Sequence, residues 1–375
     1  MSGKGDDQAG LTRREALRLL GTGGGAGLLA GLGLLSTADR AAAAARLAGV
    51  TNARALGAAT TAQQIPVIRA VTGDIPLPAI RDGAILFHEH LSMHYPIGSE
   101  TSFSDDVDLM IEEVHTAGQE GVGIIVDGGH PDMDRDIENL RRIDEESGVR
   151  VVASGGFYMQ NTYPPRIADM SAEEIADELV EDADRNHLGA FGEIGQEEGV
   201  LTDDERKVHR AVALAHLQTG LPVFTHNAYS IRATDVPRDS ALRQLEIYEA
   251  AGADLSKVCI GHVCCLDDPA ADIAIEIARR GAYVGWDRVT LNGTMPDERR
   301  IVMAMALIEA GHADKLLLSS DFFSARSLKS RGGAGIAQTV TVFGPMLLEA
   351  GLDQATLDMI LENNPKRFLS FSPRA

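Results

Sequence analysis

Eight short apolar or β-branched runs recur along the chain, each separated from the next by a helical stretch. They are AILFHEH (84–90), GIIVDGG (123–129), VRVVASGG (149–156), GAFGEIG (189–195), LPVFTH (221–226), KVCIGH (257–262), AYVGWD (282–287) and LLLSSD (316–321). Between them stand amphipathic segments such as SAEEIADELVEDADRN and DERKVHRAVALAHLQTG, the second ending on Gly220 as a helix C-terminus does. Alternating strand and helix predicts a parallel sheet, and eight such units predict its closure into a (β/α)8 TIM-type barrel. A doubly wound open sheet would place a GxGxxG phosphate loop after its first strand, and none follows residues 84–90. IPVIRAVTGDIPLP (65–78) reads as a small hairpin at the bottom or side of the barrel. No Pro/Gly/Ser-rich linker divides residues 65–375, which form one domain of the usual size for this architecture.

A barrel gathers the C-terminal ends of its strands on one face, where active sites sit. At those ends the sequence places His88 and His90, Glu193, His226, His262 and Asp321. Residues i and i+2 of a strand point the same way, so His88 and His90 face inward and Glu89 outward. A lone HxH or a single strand-end histidine carries little weight, because structural histidines are common. Ligand-type residues at the same end of five of the eight strands carry much more. Four imidazoles and two carboxylates in one mouth are costly without a partner. Imidazole and carboxylate suit zinc first, and manganese, cobalt or iron as well. The expectation is two divalent metal ions, one held by His88, His90 and Asp321, the second by His226 and His262, with Glu193 bridging. Such a pair shares a water whose pKa falls towards 7, and the resulting hydroxide attacks an electrophilic carbon or phosphorus. Asp321 takes the proton in that scheme.

The net charge of −21 disfavours nucleic acid as a partner, since a polyanion is repelled. Cys259, Cys264 and Cys265 are few, odd in number and clustered. They make neither a disulfide framework nor a CxxC metal motif and read as small buried residues. Ahead of the barrel, Arg13-Arg14 precedes GTGGGAGLLAGLGLL (21–35), a weakly hydrophobic run that resembles a twin-arginine export signal. An ordinary amphipathic helix fits less well there, because each glycine in it costs about 1 kcal/mol of helix propensity. Residues 1–47 are therefore expected to be an export signal, with ADRAAAAARLA (38–48) holding the cleavage site, and 48–64 a linker. The expected partner of that segment is the twin-arginine export machinery. The expected location is periplasmic or extracellular, membrane-anchored where the signal is retained.

In order along the chain, VTGDIP, FHEHL, GGFY (155–158), TGLPVFTH (219–226), IGH (260–262), SSD (319–321) and NNPKRFLSF (363–371) together resemble the phosphotriesterase-related branch of the amidohydrolase superfamily. That resemblance runs from about residue 65 to the C-terminus. It implies a (β/α)8 barrel, a binuclear and usually zinc centre, and hydrolysis of phosphotriesters, lactones or other esters. Its ligand roles carry onto His88, His90, Glu193, His226, His262 and Asp321. Many members bridge the metals with a carbamylated lysine; here the position is Glu193, as in the glutamate-bridged variant, and glutamate already owns its carboxylate. GEIG also resembles the deoxyribonuclease-like branch, which lacks the NNPKRFLSF ending.

Around these ligands the sequence offers weaker candidates. Tyr158 falls where the family carries an aromatic facing the substrate, with a catalytic orienting role or a pocket wall as its two readings. Asp287 is a candidate second carboxylate behind a ligating histidine. His130 ends the second strand and reads as a loop residue near the mouth. Arg326, Lys329 and Arg331 follow the eighth strand, as solvated surface or as receivers of an anion. The expected substrate is a small lactone or carboxylic ester, with a phosphotriester as the alternative and a metal-containing binding protein without turnover as the reading from another class. A homodimer is compatible with all of these.

Overall fold

The computed structural model describes residues 65–94, 104, 106–230, 235–291 and 295–373. The expected export signal (1–47) and linker (48–64) lie outside the described residues. Residues Val67–Ala70 (β1) and Gly73–Pro76 (β2) form the antiparallel hairpin read from the sequence. Eight parallel strands follow: Ala84–Glu89 (β3), Val122–Asp127 (β4), Arg150–Gly155 (β5), Ala190–Ile194 (β6), Val223–Thr225 (β7), Val258–Ile260 (β8), Tyr283–Trp286 (β9) and Leu316–Leu318 (β10). They neighbour one another in chain order, β3 to β10, in a nearly closed barrel.

The helices between strands begin and end on local chemistry. Ser171 and Thr202 each build a capping box, with Glu174 and Glu205, at the starts of the helices Ala172–Asn186 and Asp203–Thr219. Such caps contribute about 1 kcal/mol apiece. The helices Ile137–Ser147 and Asp203–Thr219 stop at Gly148 (φ 83°) and Gly220 (φ 77°), left-handed positions that suit glycine. Between strands and helices lies one apolar layer, including Val114, Leu140, Val151 and Val212. A second fills the barrel, with Ile85, Phe87, Ile124, Val126, Phe224 and Leu317. Ile68 of the hairpin and Phe368 of the C-terminal helix join this inner cluster, and Val71 N donates to Val151 O at 2.8 Å. The hairpin therefore plugs the bottom of the barrel, opposite the strand ends that carry the ligands.

Closure is where side chains take over from the ladder. Asp321 N donates to His88 O at 3.1 Å, His90 N to Phe322 O at 3.0 Å, and His88 N to Ser319 Oγ at 3.0 Å. The fully buried Glu89 carboxylate accepts from Ser319 Oγ (3.1 Å), Ser320 N (3.0 Å), Ser320 Oγ (2.8 Å) and Phe322 N (2.7 Å). Glu89 thus points away from the face that carries His88 and His90, and clasps the turn that presents Asp321.

Candidate metal centre

Period-two alternation along β3 puts Ile85 and Phe87 in the barrel interior. Continued unbroken, it would send Glu89 inward and both histidines out. The pairing of β3 with β4 shifts register between Leu86 and Glu89. That irregularity re-aims the strand end, so His88 follows Phe87 onto the inner face and His90 joins it. A similar shift lies between Phe191 and Ile194, where β6 presents Glu193.

The six side chains read as ligands meet in one buried cluster. Glu193 is its hub. Its Oε2 lies 3.2 Å from His88 Nε2, 2.8 Å from His226 Nδ1 and 3.3 Å from His262 Nε2, and its Oε1 lies 3.2 Å from His90 Nε2. Asp321 Oδ1 is 3.1 Å from His90 Nε2 and 3.9 Å from His88 Nε2. Two ligand sets share Glu193: His88, His90 and Asp321 on one side, His226 and His262 on the other.

Behind the rings, other residues fix which nitrogen faces the centre. Asp287 Oδ2 lies 2.9 Å from His88 Nδ1, while its Oδ1 lies 3.1 Å from His262 Nδ1 and accepts from His262 N at 2.7 Å. One carboxylate therefore orients a histidine of each set, meeting both on the side away from Glu193. Ser230 Oγ holds His226 Nε2 at 3.2 Å, leaving Nδ1 to face inward. Tyr158 Oη stands 3.2 Å from that same Nδ1. Arg288 Nη1 donates to Asp321 Oδ2 at 2.6 Å, and its guanidinium lies over the Phe323 ring.

Electrostatics follow from this packing. Burial pushes the Glu193 carboxyl up, but His88 and His226 outweigh it and hold it well below the usual range. Burial likewise raises Asp321, against which Arg288 and His90 bring it down to about 2. Burial lowers His90 and His262, yet their carboxylate neighbours, Asp321 and Glu193 for one and Asp287 for the other, lift each to about 9. His226 moves the other way, lowered first by burial. His226 Nδ1 and His262 Nε2 face each other at 2.9 Å, a distance that requires a proton or a cation between two lone pairs.

The donor set fits divalent metals. His88 Nε2 is buried without a hydrogen-bond partner, although it faces two carboxylates. Imidazole nitrogens and carboxylate oxygens converge, and their outer nitrogens are tied back as second partners of metal ligands usually are. A cation satisfies the facing lone pairs that protons satisfy otherwise.

Some residues were not legible as site members. Arg288 follows Asp287 directly, and a basic residue just past a strand end was the only signal for it. Ser230 sits four residues beyond His226, in the short helical turn Ala228–Ser230. Of the loop cations, Arg326 and Arg331 are exposed and Lys329 pairs with Glu120, so all three stand as surface residues. The three cysteines are buried thiols outside any disulfide, as their clustering in the sequence suggests.

Comparison with known proteins agrees with this geometry. The pattern of the phosphotriesterase family matches residues 69–369. Phosphotriesterase homology protein of Escherichia coli K12 is 34% identical over 299 residues, which span 76% of this chain and 97% of that protein. Its crystal structure, complexed with phosphate in the active site, superimposes with a TM-score of 0.68 at 31% identity, covering 77% of this chain and 99% of the other. Human N-acetyltaurine hydrolase is 32% identical over 289 residues, 72% of this chain and 79% of that protein. A match across four-fifths of the sequence, carried by a barrel whose mouth gathers these six side chains, establishes that the chain belongs to the phosphotriesterase family.

Proposed function

We propose that this metal-dependent hydrolase cleaves a carboxylic acyl bond, in first place a lactone or carboxylic ester. The observation that carries the reading is the Glu193 carboxylate, which lies within 3.3 Å of a nitrogen on each of four histidines. His88, His90, Glu193 and Asp321 would hold one divalent ion, and Glu193, His226 and His262 a second; zinc suits the donor set best. When bound, such ions supply Lewis acidity and a nucleophilic water at neutral pH.

The chain's own groups do the rest. Tyr158 orients the substrate carbonyl through its hydroxyl, which stands beside His226. Asp321 accepts the proton of the attacking water, and Arg288 keeps its outer oxygen in place. Met93, Met133, Tyr158, Met159 and Phe323 form a separate apolar cluster, a surface suited to the apolar part of a substrate.

A second reading has a specific support. The N-acetyltaurine hydrolase relatives are named for a substrate that is an N-acyl amide, and an amide carbonyl offers the same electrophilic carbon. Lactones, carboxylic esters, N-acyl amides and phosphotriesters, assayed on zinc- and manganese-loaded protein with His226→Ala as control, separate these. Lactone or ester turnover that His226→Ala abolishes is the expected result. A dominant phosphotriester rate without acyl turnover overturns it, and full metal loading without any turnover favours a binding protein.

We also propose that residues 1–47 direct twin-arginine export. Replacing Arg13 and Arg14 by lysine is expected to retain the protein in the cytoplasm on fractionation, and unchanged export removes the proposal.

A further inference from the structure

His130 is fully buried, and neither of its ring nitrogens has a hydrogen-bond partner. Asp132 Oδ1 faces Nδ1 from 3.6 Å, too far for a hydrogen bond, and is itself buried without a partner. Leaving such a group unsatisfied carries its full desolvation penalty. Native structures keep few of them, mostly where a ligand, water or reaction supplies the partner.

Its place in the barrel indicates which. Along β4, Ile124 and Val126 face the interior. Gly128, two residues further, faces the ligands: a Cβ there would stand 3.1 Å from His88 and 3.2 Å from His90. Gly129 faces the other way, towards Asp127 and Arg135. His130 is extended (φ −126°, ψ 168°) and continues the face of Gly128. It therefore sits one step above His88 and His90, towards the mouth. Gly156, at the end of the next strand, carries no side chain against its Nε2: a Cβ there would stand 3.4 Å from that atom and would collide with Ile194 at 2.4 Å.

The neighbouring carboxylate is rigid. Asp132 Oδ2 accepts from Tyr158 N at 2.9 Å and from Thr162 Oγ1 at 2.8 Å. Those bonds aim Oδ1 at the imidazole and tie it to the residue whose hydroxyl stands beside His226. That same tyrosine packs with Met93, Met133, Met159 and Phe323 in one apolar cluster. An imidazole there is the kind of isolated polar group that sets specificity in an otherwise apolar pocket.

We propose that His130 is a substrate-contacting residue, with Nε2 accepting a hydrogen bond from a hydroxyl group on the substrate, and that Asp132 is the positioning residue that orients its ring. Facing a carboxylate, Nδ1 carries the ring proton. Nε2 is left as a lone pair, and a hydroxyl is the donor that suits it. This rests on the acyl-hydrolase reading and deepens it to hydroxylated acyl substrates.

The test uses the metal-loaded full chain. Turnover of α-hydroxy-γ-butyrolactone is compared with that of γ-butyrolactone, and calorimetric binding of 2-hydroxybutyrate and 4-hydroxybutyrate with that of butyrate. Wild type is expected to favour the hydroxylated member of each pair by roughly tenfold to a hundredfold, mainly in KM and in binding. His130→Phe is expected to lose that preference while keeping its metal content. His130→Gln, which retains an acceptor oxygen, recovers part of the preference, and Asp132→Asn weakens it. An unchanged preference in both His130 variants, or no preference in wild type by either measure, overturns the proposal. A preference in binding that His130→Phe abolishes, on a protein that turns over no acyl substrate, leaves the contact standing and removes the hydrolase reading instead.

Discussion

Asp287→Asn is the most discriminating perturbation of the centre. The aspartate gives Oδ1 to His262 twice, through its backbone N–H at 2.7 Å and its ring at 3.1 Å, and gives Oδ2 to His88 Nδ1 at 2.9 Å. Asparagine has the same shape but one acceptor oxygen. That oxygen stays where it serves two donors, on the His262 side, which turns the amide N–H towards His88 Nδ1. His88 must then hold its proton on Nε2, the nitrogen that faces Glu193, and a protonated nitrogen cannot bind a metal. Losing one such orienting bond costs about ten- to a hundredfold in metal affinity. The loss is expected on the His88, His90 and Asp321 side, while the His226 and His262 side stays within a few-fold of wild type. Asp287→Ala removes both grips and weakens both sides. Titration with a competing chelator, read by elemental analysis and calorimetry, resolves two affinities per chain. Equal losses at both sites in Asp287→Asn, or no loss at either, refute the argument that one carboxylate sets the tautomers of two ligands.

Other perturbations test the frame around the centre. Glu89→Gln turns one carboxylate oxygen into an amide that meets a donor, Ser320 N or Phe322 N. The expected loss is about 2–3 kcal/mol of unfolding free energy, seen as a lower denaturant midpoint with an unchanged slope. Burial lowers His209 to about 4 from its ordinary 6.5, so the unfolded chain binds the extra proton between those values. Stability from this group is complete above about pH 6.5 and drains away towards pH 4, on the order of 3 kcal/mol in all. His209→Gln, which cannot titrate, is expected to flatten that acid limb, and an unaltered slope of stability against pH counts against it. Removing metal with a chelator should lower the thermal midpoint. Restoring zinc at about a hundredfold over its Kd should return about 2.7 kcal/mol per site. A midpoint indifferent to both treatments means that the cluster is satisfied by protons alone.

The sequence by itself determined the barrel and which polar side chains stand at the ends of its strands. Strand and helix periods are local, so the eight runs, the capping boxes at Ser171 and Thr202 and the glycine stops could be read residue by residue. Once eight strands are granted, their ends must converge, and the residues written at those ends, His88 through Asp321, converge with them. The tertiary structure decided what periodicity cannot carry. A shift in register at Phe87–His88 re-aims the strand end, because pairing with β4 fixes it and the pattern of β3 alone points the histidines outward. Asp287 reaches a histidine 199 positions away, and Arg288 meets Asp321 across the gap between two strand ends. Glu89 closes the sheet where no ladder does among the described residues. Each of these depends on distances set only when separate strands meet in the barrel, and no local pattern along the chain encodes such a distance.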